Sequence, residues 1–284
     1  MKKFGFGAMR LPLIDSQDKS SIDMEELKKM VDEFMAAGFT YFDTAFPYHE
    51  QLSENALKEA LVDRYDRDSY IFADKMPTVL VKSGDEYPMY FNKQLEKTGV
   101  GYFDYYLMHN MGRDRYFNTD KWGGFDFARR MKEEGKIKKF GFSFHDDAEM
   151  LDQILTEHPE VDFVQLQINY LDWDNKIIQS RACYETARKY NKPIVVMEPV
   201  KGGTLASLPK EADSLLLEYA PGVLPVSYAL RFAASLPGVF MVLSGMSSLE
   251  QVKDNIHIMD NPAPLNEGEK ELLSKIVDII NSKT

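Results

Sequence analysis

Apolar residues recur along the chain in two alternating rhythms. Between Asp23 and Ala37, Met24, Leu27, Met30, Val31 and Phe34 fall at helical spacing, and Gly38 follows as a stop signal. Thr40 to Asp43 is then a short β-branched and aromatic run that predicts a strand. The pair repeats down the chain. Helical patterns over Glu54 to Val62, Pro88 to Lys97, Phe125 to Glu134, Ala148 to Thr156 and Ile177 to Tyr190 each precede a predicted strand. Those strands are Tyr70 to Lys75, Tyr102 to Met108, Lys139 to Phe142, Phe163 to Ile168 and Ile194 to Met197. A helix inside Leu215 to Ala234 leads to a strand over Val239 to Leu243, and Leu249 to His257 reads as helix. Prolines blur the pattern between Leu205 and Ala220.

About seven or eight strands alternating with helices, in roughly the 250 residues such a fold takes, suit a (β/α)8 TIM barrel. No low-complexity stretch, repeat or linker divides the sequence, so a single domain over residues 1–284 is expected. An open doubly wound sheet is the rival. Its nucleotide turn needs Gly-x-Gly-x-x-Gly between a strand and a helix, and Gly5-Phe6-Gly7 lacks the third glycine and leads into no immediate helix. In a barrel, functional side chains gather at the C-terminal ends of the strands.

Composition narrows the partners. Of 284 residues, 44% are hydrophobic and 28% charged, the balance of an ordinary globular protein. Lys and Arg number 34 against 45 Asp and Glu, and a net charge of −11 argues against a nucleic-acid partner. Apolar runs such as Val239 to Leu243 are far shorter than a membrane span, and Arg10 interrupts anything resembling a signal peptide after Met1-Lys2-Lys3. With one cysteine, Cys183, neither an internal disulfide nor a cysteine metal cage can form. A cytoplasmic protein is expected.

Polar residues at predicted strand ends carry the chemistry. Asp43 and Tyr48 follow one strand, Lys75 ends the next and His109 follows a third. Singly, each has an ordinary explanation as a cap, a loop aromatic, a solvated lysine or a hydrogen-bonded histidine. Together they form a constellation.

Its contexts are Phe42-Asp43-Thr44-Ala45 with Tyr48, Asp74-Lys75-Met76-Pro77, Asp104 to His109, Glu134-Gly135-Lys136-Ile137 leading to Gly141-Phe142-Ser143, Gln167 before Asn169-Tyr170, Glu198-Pro199-Val200, and Ser244-Gly245 followed by Asn255. In these, taken in order over nearly the whole chain, the sequence resembles the aldo-keto reductase family. The resemblance implies a (β/α)8 barrel and reversible hydride transfer between a nicotinamide cofactor and a small carbonyl or alcohol, without metal. Tyr48 would donate the proton, Lys75 would favour its phenolate, Asp43 would hold Lys75, and His109 would orient the carbonyl oxygen. A barrel that binds nicotinamide as a regulator or sensor, with little turnover, is the alternative.

The resemblance also implies a cofactor cleft. Ser143 and Gln167 would bind the nicotinamide carboxamide, with Gln165 a competing choice and Phe144 standing where most relatives have Asn. Met197 would pack on the nicotinamide ring. Glu198, Pro199, Val200 and Gly202 would pass the diphosphate. Ser244, Gly245, Met246 and Ser248, leading into a helix, would offer backbone amides to the adenosine phosphate end, with Gln251 and Asn255 facing adenine. Relatives preferring NADP commonly carry Lys and Arg about where Gly245 and Gln251 stand. Their absence leaves Lys201, hydroxyls or backbone donors for NADP(H), which is expected first, and makes NAD(H) a serious rival.

The opening Phe4 to Pro12, together with Gly141 to Asp146 and Val196 to Gly203, is similar to a branch whose members often carry a Cys-rich, ferredoxin-like iron–sulfur tail. No such tail is present up to Thr284, so an electron-transfer partner or a missing tail is an open expectation. Met9 stands where sugar-reducing relatives place a large aromatic. His49 and His145 could approach the mouth, and Trp122, Trp173 and the aromatic run from Arg113 to Phe127 are candidates for a loop covering the substrate.

Overall fold

The computed structural model describes residues 2–282. Its first helical stripe buries as its spacing requires. In α1 (Met24–Ala36), Leu27, Met30, Val31 and Phe34 are buried, and the Asp23 side chain caps the N-terminus by accepting from the Glu26 amide at 3.0 Å. Such a cap contributes about 1 kcal/mol. Phe34 lies 5.3–5.7 Å, centroid to centroid, from Phe4, Phe6, Phe39 and Phe42, which ties α1 to the strands β1 (Phe4–Gly7) and β2 (Tyr41–Asp43).

The rest continues the alternation. A short α2 (Ser53–Leu57) runs on as a π-helical turn to Val62, followed by β3 (Ile71–Met76), α3 (Glu86–Thr98) and β4 (Phe103–Met111). Helices α4 (Arg113–Lys121) and α5 (Gly124–Glu133) precede β5 (Ile137–Phe144), α6 (Ala148–Glu157) and β6 (Phe163–Gln167). Then come α7 (Ser180–Lys189), β7 (Ile194–Met197), α8 (Lys210–Tyr219), α9 (Pro225–Ser235) and β8 (Val239–Gly245), with α10 (Leu249–Met259) and α11 (Glu267–Asn281) last.

The eight strands are parallel, each paired with its sequence neighbour, and β8 closes on β1 with Phe6 opposite Ser244. This is the (β/α)8 barrel. Strand periodicity sorts the side chains. Even-numbered residues such as Phe42, Phe72, Tyr106, Val164, Val196 and Val242 pack outward against the helices, while Tyr41, Ala73, Leu107, Phe163, Val195 and Met241 form a separate interior cluster. Space inside is short: a Cβ at Gly5 would meet the Leu243 side chain at 2.6 Å, and one at Gly141 would meet the Phe163 carbonyl oxygen at 2.5 Å. Among the described residues no helix is long and apolar enough to cross a membrane.

Three sequence expectations change. The strand missing from the clear alternation is β1, whose two glycines depress strand propensity but are what the crowded interior admits. The single helix expected within 215–234 is two helices, divided around Pro221-Gly222. The aromatic run from Arg113 to Phe127 is helical and packed rather than a covering loop. Tyr116 donates to Glu157, Phe125 stacks on His158 at 3.6 Å, and Trp122 is partly buried against the core. Trp173 packs on Tyr184 and Phe232.

Candidate active site

The odd-numbered positions that fill the barrel interior end, one step further along each strand, in polar residues. Asp43 follows Tyr41, Lys75 follows Ala73 and His109 follows Leu107, so strand periodicity alone aims all three into the mouth of the barrel. The Lys75 ammonium pairs with Asp43 and donates to the Thr44 carbonyl at 2.8 Å. It also lies 3.5 Å from the Tyr48 hydroxyl. The His109 ring meets the Tyr48 ring edge to face at 5.8 Å. The four residues predicted from sequence therefore come together.

Tyr48 is held by a loop with few options. The next three residues, His49, Glu50 and Gln51, all have left-handed backbones, with φ of 50°, 54° and 70°. Each such conformation costs about 1–2 kcal/mol in a residue other than glycine. The surrounding bonds fix it. His49 accepts from the Leu11 amide through Nε2 and meets the Lys19 carbonyl through Nδ1, both at 3.0 Å. His49 is thus a buried structural tie between two loops, and its expected approach to the site mouth is not seen.

Burial sets the charges. The Lys75 side chain is 1% exposed and that of Asp43 5%. Desolvation works against the ammonium, but the Asp43 carboxylate paired with it outweighs that and holds Lys75 above its ordinary value. For the Tyr48 phenol, burial outweighs the attraction of Lys75, so its pKa lies above 10 rather than below. Tyr48 is a protonated donor at neutral pH. Burial, with Lys75, His145 and Arg115 adding repulsion, pushes His109 well below 6.5 and keeps the imidazole neutral. His145 itself is exposed at the mouth, and Arg115 donates to the Asn110 carbonyl at 3.3 Å.

Further groups support this arrangement. Gln165, weighed from sequence as a carboxamide ligand, donates instead to the free oxygen of Asp43 at 3.3 Å. Behind Lys75, buried Gln94 donates to the Lys75 carbonyl and to Glu54, both at 3.0 Å, and accepts from Tyr106. Asp74 accepts from the Lys75 amide, and burial and the Glu54 charge push its pKa well above the carboxylate range. Strand alternation, which turns Gln165 into the barrel interior with Asp43, is the sequence signal for this contact. Cys183 is buried, with its thiol pushed up to about 12, which makes it inert.

The cofactor candidates divide. Glu198, Pro199, Val200, Gly202, Ser244, Gly245, Gln251 and Asn255 line one cavity of about 390 Å³ between the loops after β7 and β8. Glu198 and Lys201 have left-handed backbones, as do Gly202 and Gly203, where the absent side chains keep the turn open. Ser143 is buried, its hydroxyl accepting from the Asn110 amide at 2.7 Å. Gln167 and Met197 pair across β6 and β7 at the mouth, and Gln167 donates weakly to Asp172 at 3.4 Å.

Other expected donors are already engaged. The Lys201 ammonium is paired with Asp172, a carboxylate also held by Asn169 at 2.9 Å. At the start of α10, Gln251 takes the Ser247 amide at 2.8 Å, Glu26 takes the Leu249 amide at 2.9 Å, and Ser248 caps the helix by taking the Gln251 amide. Met246 is fully buried in the core, so its side chain is not part of the cavity. The Asn255 amide donates to Ser244. Sequence reading missed Arg10, which lines the same cavity from the turn after β1.

Comparison with known proteins follows the same lines. The model of the aldo/keto reductase family matches residues 3–277. Among solved structures, an aldo-keto reductase from Bacillus halodurans in its holo form is 22% identical, with a TM-score of 0.76, over 96% of this chain and 91% of that one. An aldo-keto reductase from Klebsiella pneumoniae in complex with NADPH is 17% identical, with a TM-score of 0.73, over 97% and 90%. One from Brucella melitensis is 19% identical, with a TM-score of 0.71, over 96% and 94%. None of the curated proteins compared matches the chain.

Proposed function

Because the chain belongs to the aldo/keto reductase family, and is thereby an NAD(P)-dependent oxidoreductase, we propose that it reversibly reduces small aldehydes or ketones with Tyr48 as proton donor. The observation that carries this reading is the meeting of buried Asp43 and Lys75 with half-buried Tyr48 and His109 at one mouth of the barrel. The bound dihydronicotinamide would supply the hydride.

The side chains serve the other half of the reaction. As negative charge grows on the carbonyl oxygen, the Tyr48 hydroxyl transfers its proton to it, and the neighbouring Lys75 charge stabilises the phenolate left behind. Asp43, steadied by Gln165, keeps Lys75 charged and directed at Tyr48. Neutral His109 donates a hydrogen bond to the same oxygen and fixes its approach. A positioned acid of this kind is worth on the order of 10² to 10⁴ in rate.

The cavity between the β7 and β8 loops suits an elongated cofactor: its lining includes Glu198, next in sequence to Met197, the glycines Gly202, Gly203 and Gly245, and the polar Gln251 and Asn255. We assign the carboxamide to Gln167, because Gln165 is bound to Asp43. NADP(H) is the proposed cofactor, and the lack of a cation at Gly245 or Gln251 puts NAD(H) in competition. Paired fluorescence titrations with NADPH and NADH, followed by an aldehyde screen for cofactor oxidation, test the reading. Tight binding of one or both with carbonyl-dependent oxidation is expected. Binding without any turnover would favour a sensor, and no binding would refute the proposal.

A further inference from the structure

Arg10 occupies an unusual place for a free cation. Its side chain lies along Gly245, where an added Cβ would come within 3.0 Å of its Cγ and Cδ, and its guanidinium reaches across the cleft to within 3.1 Å of a Cβ placed on Gly202. Two glycines on opposite walls thus make room for one arginine. The Arg10 backbone is fixed, its carbonyl accepting from the Ser247 hydroxyl at 3.0 Å. Yet the guanidinium makes no hydrogen bond or ion pair with any of the described residues, and Arg10 is the one cation among the described residues lining this cavity.

The charge balance of the cleft gives this position its meaning. Glu198 and Asp254 both line it, so an anionic ligand meets two carboxylates and needs a positive charge to offset them. Lys201 is committed to Asp172, and the Ser247, Leu249 and Gln251 amides around the start of α10 are taken by Gln251, Glu26 and Ser248 respectively. Arg10 remains. A guanidinium presents a planar fork that matches phosphate oxygens two at a time. Its head stands against the Gly202 wall, on the side of the cleft formed by the loop after β7.

We propose that Arg10 binds the diphosphate of the nicotinamide cofactor, the portion NADH and NADPH share, and thereby supports binding of either without a cation at Gly245 or Gln251. The proposal rests on the cofactor reading above and adds a residue and a specificity to it. Arg10 does not choose between the two cofactors; it raises affinity for both.

The test is fluorescence titration of the full chain and of its Arg10→Met and Arg10→Lys variants with NADPH and NADH. Arg10 is exposed, and circular dichroism checks that the variants fold. A charge-assisted phosphate contact predicts that Arg10→Met weakens both cofactors about 10- to 100-fold and by similar factors, with Arg10→Lys recovering part of the loss. Unchanged binding by folded Arg10→Met overturns the proposal while leaving the cofactor reading intact. A loss confined to NADPH overturns it too, because the arginine would then read the extra phosphate. If the unaltered chain binds neither cofactor, the functional reading itself fails.

Discussion

Replacing Lys75 by Met leaves Asp43 as a buried carboxylate whose remaining partner is the Gln165 amide at 3.3 Å. The ammonium and carboxylate are almost wholly shielded from solvent, so breaking this pair from one side is expected to cost about 3–5 kcal/mol. For a chain of this size that is a fall in melting temperature on the order of 10 °C. The penalty depends on pH. Unfolded, Asp43 titrates near the ordinary value of about 3.9; burial already raises it in the folded protein against the pull of Lys75, and loss of Lys75 raises it further. A carboxyl raised on folding contributes its stability below the unfolded value and loses it as pH climbs through the folded one. The deficit of Lys75→Met relative to the unaltered protein therefore widens as pH rises from about 4 toward 8. In the double variant Asp43→Asn, Lys75→Met, that pH-dependent part disappears and stability partly recovers. Urea unfolding across this pH range measures all three proteins. A Lys75→Met protein of undiminished stability, or a deficit independent of pH, would refute the assignment of a buried charged pair.

Two other consequences follow from the geometry. His109 is held neutral, so its ring proton shifts should not titrate between about pH 6 and 8 in NMR spectra. Because its pKa is lowered on folding, its contribution to stability is full above the unfolded value of about 6.5 and is lost below it, and a His109→Gln variant should show a weaker acid dependence. At Gly141, even one methyl would clash with the Phe163 backbone at 2.5 Å; Gly141→Ala should lose about 1–3 kcal/mol, read by chemical denaturation.

Much of this protein was legible in its sequence because barrel chemistry follows strand periodicity. Asp43, Lys75 and His109 stand where alternation turns polar at a strand end, and their grouping follows from the fold. What escaped depends on contacts between distant segments. Phe4–Gly7 reads poorly as a strand because Gly5 answers to the Leu243 and Tyr41 side chains inside the barrel and Gly7 to the Ser244 backbone, not to local propensity. His49 sits beside Tyr48 in sequence yet is spent on the Leu11 amide and Lys19 carbonyl. Lys201 had the charge expected of a phosphate ligand, but Asp172, 29 residues earlier, takes it. Arg10 becomes visible only once β1 and β8 lie side by side, 235 residues apart between Arg10 and Gly245 by their numbers.

If Tyr48 delivers the proton while other residues hold the cofactor, its hydroxyl can be removed without loss of cofactor binding. The direct test measures NADPH binding and single-turnover oxidation by an aldehyde for the unaltered protein and Tyr48→Phe. Unchanged cofactor affinity and a rate lower by at least about 10²-fold are expected of the variant. A Tyr48→Phe protein that turns over at the full rate would contradict it.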